Sequence, residues 1–411
     1  MNPHEHTLQL FHAALGLQEP WLITNVHFSP EEKQLRILVD FKKGAKFDCP
    51  CCGASGAKAY DTTSRTWRHL NFFEHRTDLT ARHPRVKCDS CGAIKAVAVP
   101  WAAKDSRFTL LFEAYVMTLA QQMPVKAIAR LVNEHDTRLW RIIKRNVQEG
   151  LSRLDLFSVK EIGLDGTSSK RGHNYITVFM DLDTKRVIYV TPGKDADTVT
   201  KFVEFLQEHN GSANRITAVS CDMSRAFISG VSAEMPKAEI VFDKFHVMKL
   251  MNEAVDKVRR RETKDNPELK KTRWIWLHNP GNLSKKQSEE LETLSQMNLQ
   301  TGKAYRIRLA LQEFFNQSSY EEAEAYLRDW YFWATHCRIE EVIKVARTIK
   351  VHWDGIMSWY TRPITNAILE GINSLIQAAK AKARGYRTLD NLITMVYLIA
   401  GKLTFNLPLP T

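Results

Sequence analysis

Three patterns predict a multidomain protein: an N-terminal zinc ribbon-like β module, a helix-turn-helix, and a ribonuclease-H-like α/β domain interrupted by an all-helical insertion. The first is a doubled cysteine pair, CPCCGAS and CDSCGAI, set among strand-like runs such as WLITNVHF and QLRILVDF. The second is a short helical segment, VKAIARLV, followed by a basic one, TRLWRIIKRNV. The third is the order strand, hairpin, helix, strand, helix, strand from about residue 158, followed by a long run of helix-forming sequence. A hairpin gives antiparallel neighbours, and helical crossovers return parallel strands, which is the order of a ribonuclease-H-like sheet. A chain of 411 residues is too long for one ordinary core. The expected divisions are 1–104 for the zinc-binding domain, 105–155 for the helix-turn-helix and 156–258 for the first part of the catalytic domain. Residues 259–358 then form the helical insertion and 359–411 the second part of the catalytic domain.

Composition narrows the class. At 44% hydrophobic and 25% charged the chain is ordinary for a globular protein. No run approaches the roughly 18 apolar residues of a membrane span, so no membrane partner is expected. The N-terminal stretch MNPHEHTLQLFHAALGLQEP has no basic segment before its apolar residues, so no secretory signal is expected. A net charge of +12 favours a polyanionic partner, nucleic acid first. Of the seven cysteines, five lie between Cys49 and Cys91; that clustering suits a metal site in a reducing compartment better than a disulfide framework.

Each element follows in order. Cys49 and Cys52, then Cys88 and Cys91, are CxxC pairs each followed by glycine. Such knuckles turn two thiolates towards one ion, and two of them make a tetrahedral four-cysteine zinc site. Cys51 is a spare that competes for a place, and four free buried cysteines are the plain alternative. Between the pairs, SRTWRHLNFFEHRTDLTARHPRVK mixes Arg, His and aromatic residues, which suits either phosphate contact or a solvated hairpin. In the next segment a helix over 108–121 precedes the short helix and the basic one. Arg138, Arg141, Lys144 and Arg145 fall mostly on one side of the last helix, with Leu139, Ile142 and Ile143 free to face a core. DNA binding is the expectation, and an ordinary three-helix packing unit the alternative.

In the α/β segment, one strand is expected to end at Asp165, a second at Asp222 and a third at Asp243, with a helix capped by Asp197 between the hairpin and the second strand. Neighbouring strands can deliver aspartates side by side. Two carboxylates roughly 4 Å apart repel by about 4 kcal/mol at an effective dielectric near 20, so a cation is needed between them. A pair of Mg²⁺ ions can activate a hydroxyl and stabilise the leaving oxygen in phosphoryl transfer, and a third carboxylate would hold the second ion. Glu370 is the candidate. Pro363 and Thr365 fit a helix start. Ile368, Ile372, Leu375, Ile376 and Ala379 form one stripe, and Asn366, Glu370, Asn373, Gln377, Lys380 and Arg384 another. Plain amphipathicity explains such a helix equally well.

At these residues the chain resembles the bacterial DDE transposases of the ISL-three family of insertion sequences. The resemblance is carried by CPCCG…CDSCG, the helix-turn-helix, GLDGTSSKRGHNYITVFMDLDTKRVI, AVSCDMSRAF, FDKFHVMKLMNEAVDKVRR and TNAILEGINSLIQAAKAKARGYR, in that order over nearly the whole chain. It implies that Asp165, Asp222 and Glu370 are a catalytic triad binding two Mg²⁺, for which Mn²⁺ can substitute. It implies that Asp243 and His246 match a (C/D)xxH motif beside the active site, although His246 at a strand-to-helix junction is equally open to a structural role. The 148 positions between Asp222 and Glu370 suit a helical insertion. In the resemblance such insertions help hold transposon ends; Trp274 and Trp276 fit that role or plain core packing. The implied activity is binding of terminal inverted repeats, hydrolysis at the DNA ends and transfer of the 3′-hydroxyl to target DNA. The implied protein is a homodimer on double-stranded DNA, cytoplasmic and nucleoid-associated when bound. Lys380 and Arg384 would face the phosphate backbone. A catalytically inactive DNA-binding regulator, or a structure-specific nuclease of the same fold, are the alternatives.

Overall fold

The computed structural model describes residues 3–362, 364 and 367–408. It divides into two compact units, Met1–Leu151 with Thr404–Thr411, and Ser152–Leu403.

The first unit opens on a helix absent from the sequence-based expectation, α1 (Pro3–Ala14). Its Leu8 and Phe11 pack on the core of the sheet that follows. Strands β1 (Trp21–Ser29), β2 (Gln34–Phe41), β3 (Lys46–Phe47), β4 (Ala57–Arg68), β5 (Arg76–Lys87) and β6 (Ile94–Ala96) form a sheet in the order β1-β2-β5-β4-β3, with β6 on β5. β4 and β5 are the long hairpin that separates the two cysteine pairs. β2 alternates buried and exposed positions, as a half-buried strand should, placing Leu35, Ile37 and Val39 under Trp67 and Trp101. Three helices follow: α2 (Leu110–Gln122), α3 (Val125–Leu131) and α4 (Asp136–Ser152). Thr109 caps α2 by accepting the Phe112 N–H, Pro124 starts α3, and Asn133 turns the chain at φ 50° before α4. Leu139, Ile142, Ile143 and Val147 form the buried stripe of α4.

The second unit holds β7 (Glu161–Lys170), β8 (Asn174–Asp181), β9 (Arg186–Pro192), β10 (Ala218–Cys221) and β11 (Glu239–Phe242), in the order β11-β10-β7-β8-β9. β7, β8 and β9 are antiparallel neighbours, whereas β10 runs parallel to both β7 and β11. Helices α5 (Asp197–Glu208) and α6 (Arg225–Glu234) make the crossovers, and Phe202 of α5 stacks on Phe179 of β8 at 4.4 Å.

Two expectations change here. β7 does not end at Asp165 but runs on to Lys170, because the hairpin partner β8 continues its ladder past that point. Asp197 does not cap α5 either: Asp195 accepts the Thr198 N–H, and Asp197 lies inside the first turn, paired with Lys201.

Beyond β11 the described chain is helical: α7 (Lys244–Glu262), α8 (Arg273–Leu277), α9 (Lys285–Gln296), α10 (Gln300–Phe314), α11 (Tyr320–Thr335), α12 (Glu340–Val351), α13 (Trp353–Thr361), α14 (Ala367–Lys382) and α15 (Leu389–Ala400). Trp276 is fully buried and donates to the Thr272 hydroxyl, whereas Trp274 is exposed. α13 returns to the sheet edge, where a Cβ at Gly355 would stand 2.5 Å from the Phe242 ring; only glycine permits that approach. α15 seals β9, its Tyr397 hydroxyl accepting the Val190 N–H at 2.9 Å.

Candidate functional site

In the first unit the two cysteine knuckles are copies of one turn. Cys49 donates its N–H to Ala54 and accepts that of Gly53; Cys88 does the same with Ala93 and Gly92. Gly53 and Gly92 sit at φ 73° and 69°, a conformation open to glycine without strain. The four Sγ atoms of Cys49, Cys52, Cys88 and Cys91 lie within 4.8 Å of one another, with Cys49–Cys91 at 3.7 Å and Cys52–Cys88 at 3.5 Å. A tetrahedron with metal–sulfur bonds of ~2.3 Å has edges of about 3.8 Å, so the thiols already stand at zinc-site spacing. Backbone N–H groups, that of Cys91 foremost, pull the Cys88 thiol down to about 6, and backbone N–H groups also lower Cys49, whereas the neighbouring thiols and burial raise Cys52 and Cys91. Cys51 stands outside this quartet; it is exposed and only its N–H reaches the Cys49 sulfur.

The basic residues of α4 divide into two kinds. Arg145 forms an ion pair with Glu113 of α2, whose side chain is fully buried. Arg138 pairs with Glu134 in the turn before α4, and Glu134 also takes Arg76 at 3.4 Å and Arg68 at 3.8 Å. Arg141 is exposed, and Lys144 is half-buried. Two of the four cations read from the sequence as DNA contacts therefore hold the helices to each other and to the sheet.

In the second unit, register decides the geometry. β10 pairs Ala218 with Glu161 of β7 and with Glu239 of β11. Asp165, Asp222 and Asp243 each lie four positions beyond that row, so three adjacent strands bring an aspartate to the same end of the sheet. Asp243 is buried and caps α7, accepting the Phe245 N–H at 2.7 Å. Asp222 accepts the Ser224 N–H with one oxygen and the Lys194 ammonium, at 2.9 Å, with the other.

α14 brings the fourth carboxylate. Asn373 donates to Asp165 at 2.8 Å, Gln377 to the Thr167 hydroxyl at 2.9 Å, and Lys380 to the Ser168 carbonyl at 2.6 Å. The polar stripe thus lies against β7. Leu369 and Ile376 are its buried apolar residues, while Leu375, expected in the core, is 45% exposed. Lys380 is engaged with the strand; Arg384 lies beyond the helix end, exposed, at φ 56°. Pro363, Thr365 and Asn366 fall outside the described residues.

Burial pushes Asp165 above the usual carboxylate range; Asp222 adds to this, while His246, the Gly166 N–H and Lys194 oppose it. Burial likewise raises Glu370, with the Asp243 and Asp165 charges contributing. One Glu370 carboxylate oxygen and the Asn373 side-chain oxygen are buried without a partner. Unpaired acceptors beside like-charged carboxylates are what a hard cation would relieve. A groove of about 470 Å³ opens beside Glu370, lined also by Asp243, Phe245, Arg308 and Trp359. Sequence reasoning missed Lys194 and Arg308. Lys194 carried a signal, as it follows Gly193 directly beyond β9; Arg308 carried none.

Comparison with known proteins matches these regions separately. A family model described as the transposase of the ISL3 group matches residues 162–396. The helix-turn-helix domain of transposase family ISL3 matches 97–147, and the zinc-finger of transposases IS204/IS1001/IS1096/IS1165 matches 45–91. The transposase for insertion sequence element IS1001 of Bordetella parapertussis is 30% identical over 367 residues, spanning 87% of this chain and 90% of its own length. The transposase for insertion sequence element IS1557 of Mycobacterium tuberculosis is 28% identical over 430 residues, spanning 96% of each chain. The zinc-finger match, together with the four close cysteines, supports a structural zinc. No helix among the described residues is long and apolar enough to cross a membrane.

Proposed function

The chain belongs to the ISL3 family of transposases, enzymes that cleave DNA and transfer its strands, and from that premise we propose how its residues divide the work. The catalytic group is Asp165, Asp222 and Glu370, on a ribonuclease-H-like sheet interrupted by the helical stretch 259–358. The observation that carries this reading is the row of aspartates at one sheet end faced by Glu370, whose carboxylate keeps an oxygen unpaired. The donors are all hard oxygens, which fit Mg²⁺ or Mn²⁺. When bound, a metal pair supplies an activated water or 3′-hydroxyl and stabilisation of the leaving oxygen.

The protein's own part is to hold the carboxylates. β7 and the Gly166 N–H fix Asp165, Asn373 orients its second oxygen, and Ser224 orients Asp222. Asp243 and His246 act beside the site: Asp243 pins the start of α7, and His246 lowers the charge burden on Asp165.

The cysteine module and helix-turn-helix would bind the terminal inverted repeats of the element, with Arg141 and Lys144 nearest to DNA and Arg138 and Arg145 as their scaffold. Lys380 and Arg384 would meet the backbone near the active site. Two ends must be processed, so the working form is a homodimer on DNA, in the cytoplasm and on the nucleoid. The division at residues 104, 155, 258 and 358 belongs to the same proposal; separate matches over 45–91, 97–147 and 162–396 support a three-part order, while 258 and 358 rest on the helical run beyond β11.

The test is end cleavage by Asp165→Asn on a duplex carrying the repeat that flanks the gene. Binding should persist and cleavage with Mg²⁺ should vanish; undiminished cleavage would remove Asp165 from the site.

A further inference from the structure

We propose that Lys194 is a tethered counter-cation of the catalytic carboxylates that releases Asp222 to the divalent metal only when DNA is bound, so that metal loading is coupled to substrate. This rests on the assignment of Asp222 to a metal site.

Lys194 follows β9 directly, after Gly193 at φ 105°, a turn that an L side chain would strain. Its ammonium reaches Asp222 at 2.9 Å, and the side chain is about one-third exposed. The stem runs over the backbone of Gly166, the residue after Asp165: a Cβ there would stand 2.6 Å from the lysine Cδ and 3.0 Å from its Cε and Cγ. Glycine at 166 thus keeps open the path that the lysine occupies. The ammonium also lies 5.6 Å from the centre of the Phe227 ring, a further contact that favours the inward position.

With Lys194 in place, both oxygens of Asp222 and both of Asp165 have donors, and a Glu370 oxygen is left without one. An ammonium and a divalent ion on the same carboxylate oxygen repel each other, so loading the metal there requires the lysine to move. A lysine is a compact charge on a flexible stem and can exchange one anion for another nearby. The phosphates of bound DNA are the anions that would take it. Free protein is then poorly loaded and idle, and DNA completes the site. Lys194 acts through Asp222 and is a positioning residue.

The experiment is Mn²⁺ binding to the full zinc-loaded chain, followed by electron paramagnetic resonance. It compares wild type with Lys194→Met, Lys194→Arg, Gly166→Ala and Asp222→Asn, with and without a pre-nicked duplex of the element's own end. Without DNA, Lys194→Met should bind Mn²⁺ about tenfold tighter than wild type, because a repelling charge is gone. Lys194→Arg should stay weak. Gly166→Ala, which obstructs the lysine stem, should tighten like Lys194→Met. Adding DNA should tighten wild type and leave Lys194→Met little changed. A merely structural lysine would not give tighter metal binding when removed. If Lys194→Met binds no tighter while Asp222→Asn abolishes binding, the lysine role is overturned and the metal site stands. If Asp222→Asn binds like wild type, both fall. Should Lys194→Met fail to fold by circular dichroism, a Gly166→Ala protein that binds no tighter than wild type overturns the proposal.

Discussion

Buried acids are treated in opposite ways in the two units. In the N-terminal unit Glu113 is fully buried, yet it receives the Ser106 hydroxyl, the Asn146 amide and the Arg145 guanidinium. Glu134, with 3% of its side chain exposed, is held by Arg68, Arg76 and Arg138. In the other unit Asp165 and Glu370 are raised by burial and lie near further carboxylates, with Lys194 the direct ion-pair partner of Asp222 among the described residues. A buried acid with its own arginines is part of a scaffold. A cluster of acids short of cations costs stability, a cost that a bound ligand of opposite charge would offset. The same contrast explains why a basic helix is not wholly a DNA-binding face: two of its arginines already have partners.

The largest expected effect concerns the cysteine quartet. Analysis of freshly purified protein should find one zinc held by Cys49, Cys52, Cys88 and Cys91, and Cys88→Ser or chelation should remove ~10 kcal/mol or more of apparent binding energy from the N-terminal unit. Hydrogen exchange resolved by unit should show its strands opening while β7–β11 stay protected; equal loss in both units would break the contrast between an ion that builds a fold and one that serves chemistry.

Next comes the direct comparison of acids. Glu113→Ala should lower stability by about 3 kcal/mol, since it removes the buried acceptor of the Ser106 hydroxyl and Asn146 amide and one of the two ion-pair partners of Arg145. Glu370→Gln should melt at or above the wild-type temperature while cleavage is lost. A strongly destabilised Glu370→Gln would mark Glu370 as scaffold.

A smaller effect is expected with pH. Burial, aided by the nearby Arg68, pushes His69 down to about 4 from an ordinary value of 6.5. Its Nδ1 meets the Thr109 hydroxyl that caps α2, so the folded unit holds it neutral. Between these values the unfolded chain binds more protons, so stability rises with pH from about 4 to 6.5 and is lost as pH falls through that window. Denaturant titrations of His69→Gln should show a flatter profile there.

The smallest effect separates the arginines of α4. Arg141→Ala should reduce the log–log salt slope of DNA binding by about 0.9, the value for one phosphate contact. Arg145→Ala should instead lower the melting temperature first. A lower slope with unchanged stability for Arg145→Ala would make it a DNA contact after all.

Much of this was legible in the sequence because it is local. A CxxC-Gly knuckle folds by its own turn, and the helix-turn-helix is spelled out by cap, proline and apolar spacing. The strand order could be read from alternating segments, but β7 ran past Asp165 because its length is set by β8 across the hairpin. The helix of Glu370 was legible, but its apolar residues misled: the side bonded to β7 is amide-rich, and Leu375 is left exposed. That inversion arises because Asn373 and Gln377 find partners on a strand about two hundred positions away.

The sequence by itself determined which residues are candidates for chemistry, since cysteines at knuckle spacing and aspartates within or just after apolar strand segments are properties of short segments. Only the tertiary structure decided which charges remain free to act. Pairing depends on what else the fold brings within a few ångströms: Arg145 was committed to Glu113, Asp222 was given Lys194, and one oxygen of Glu370 was left without a donor.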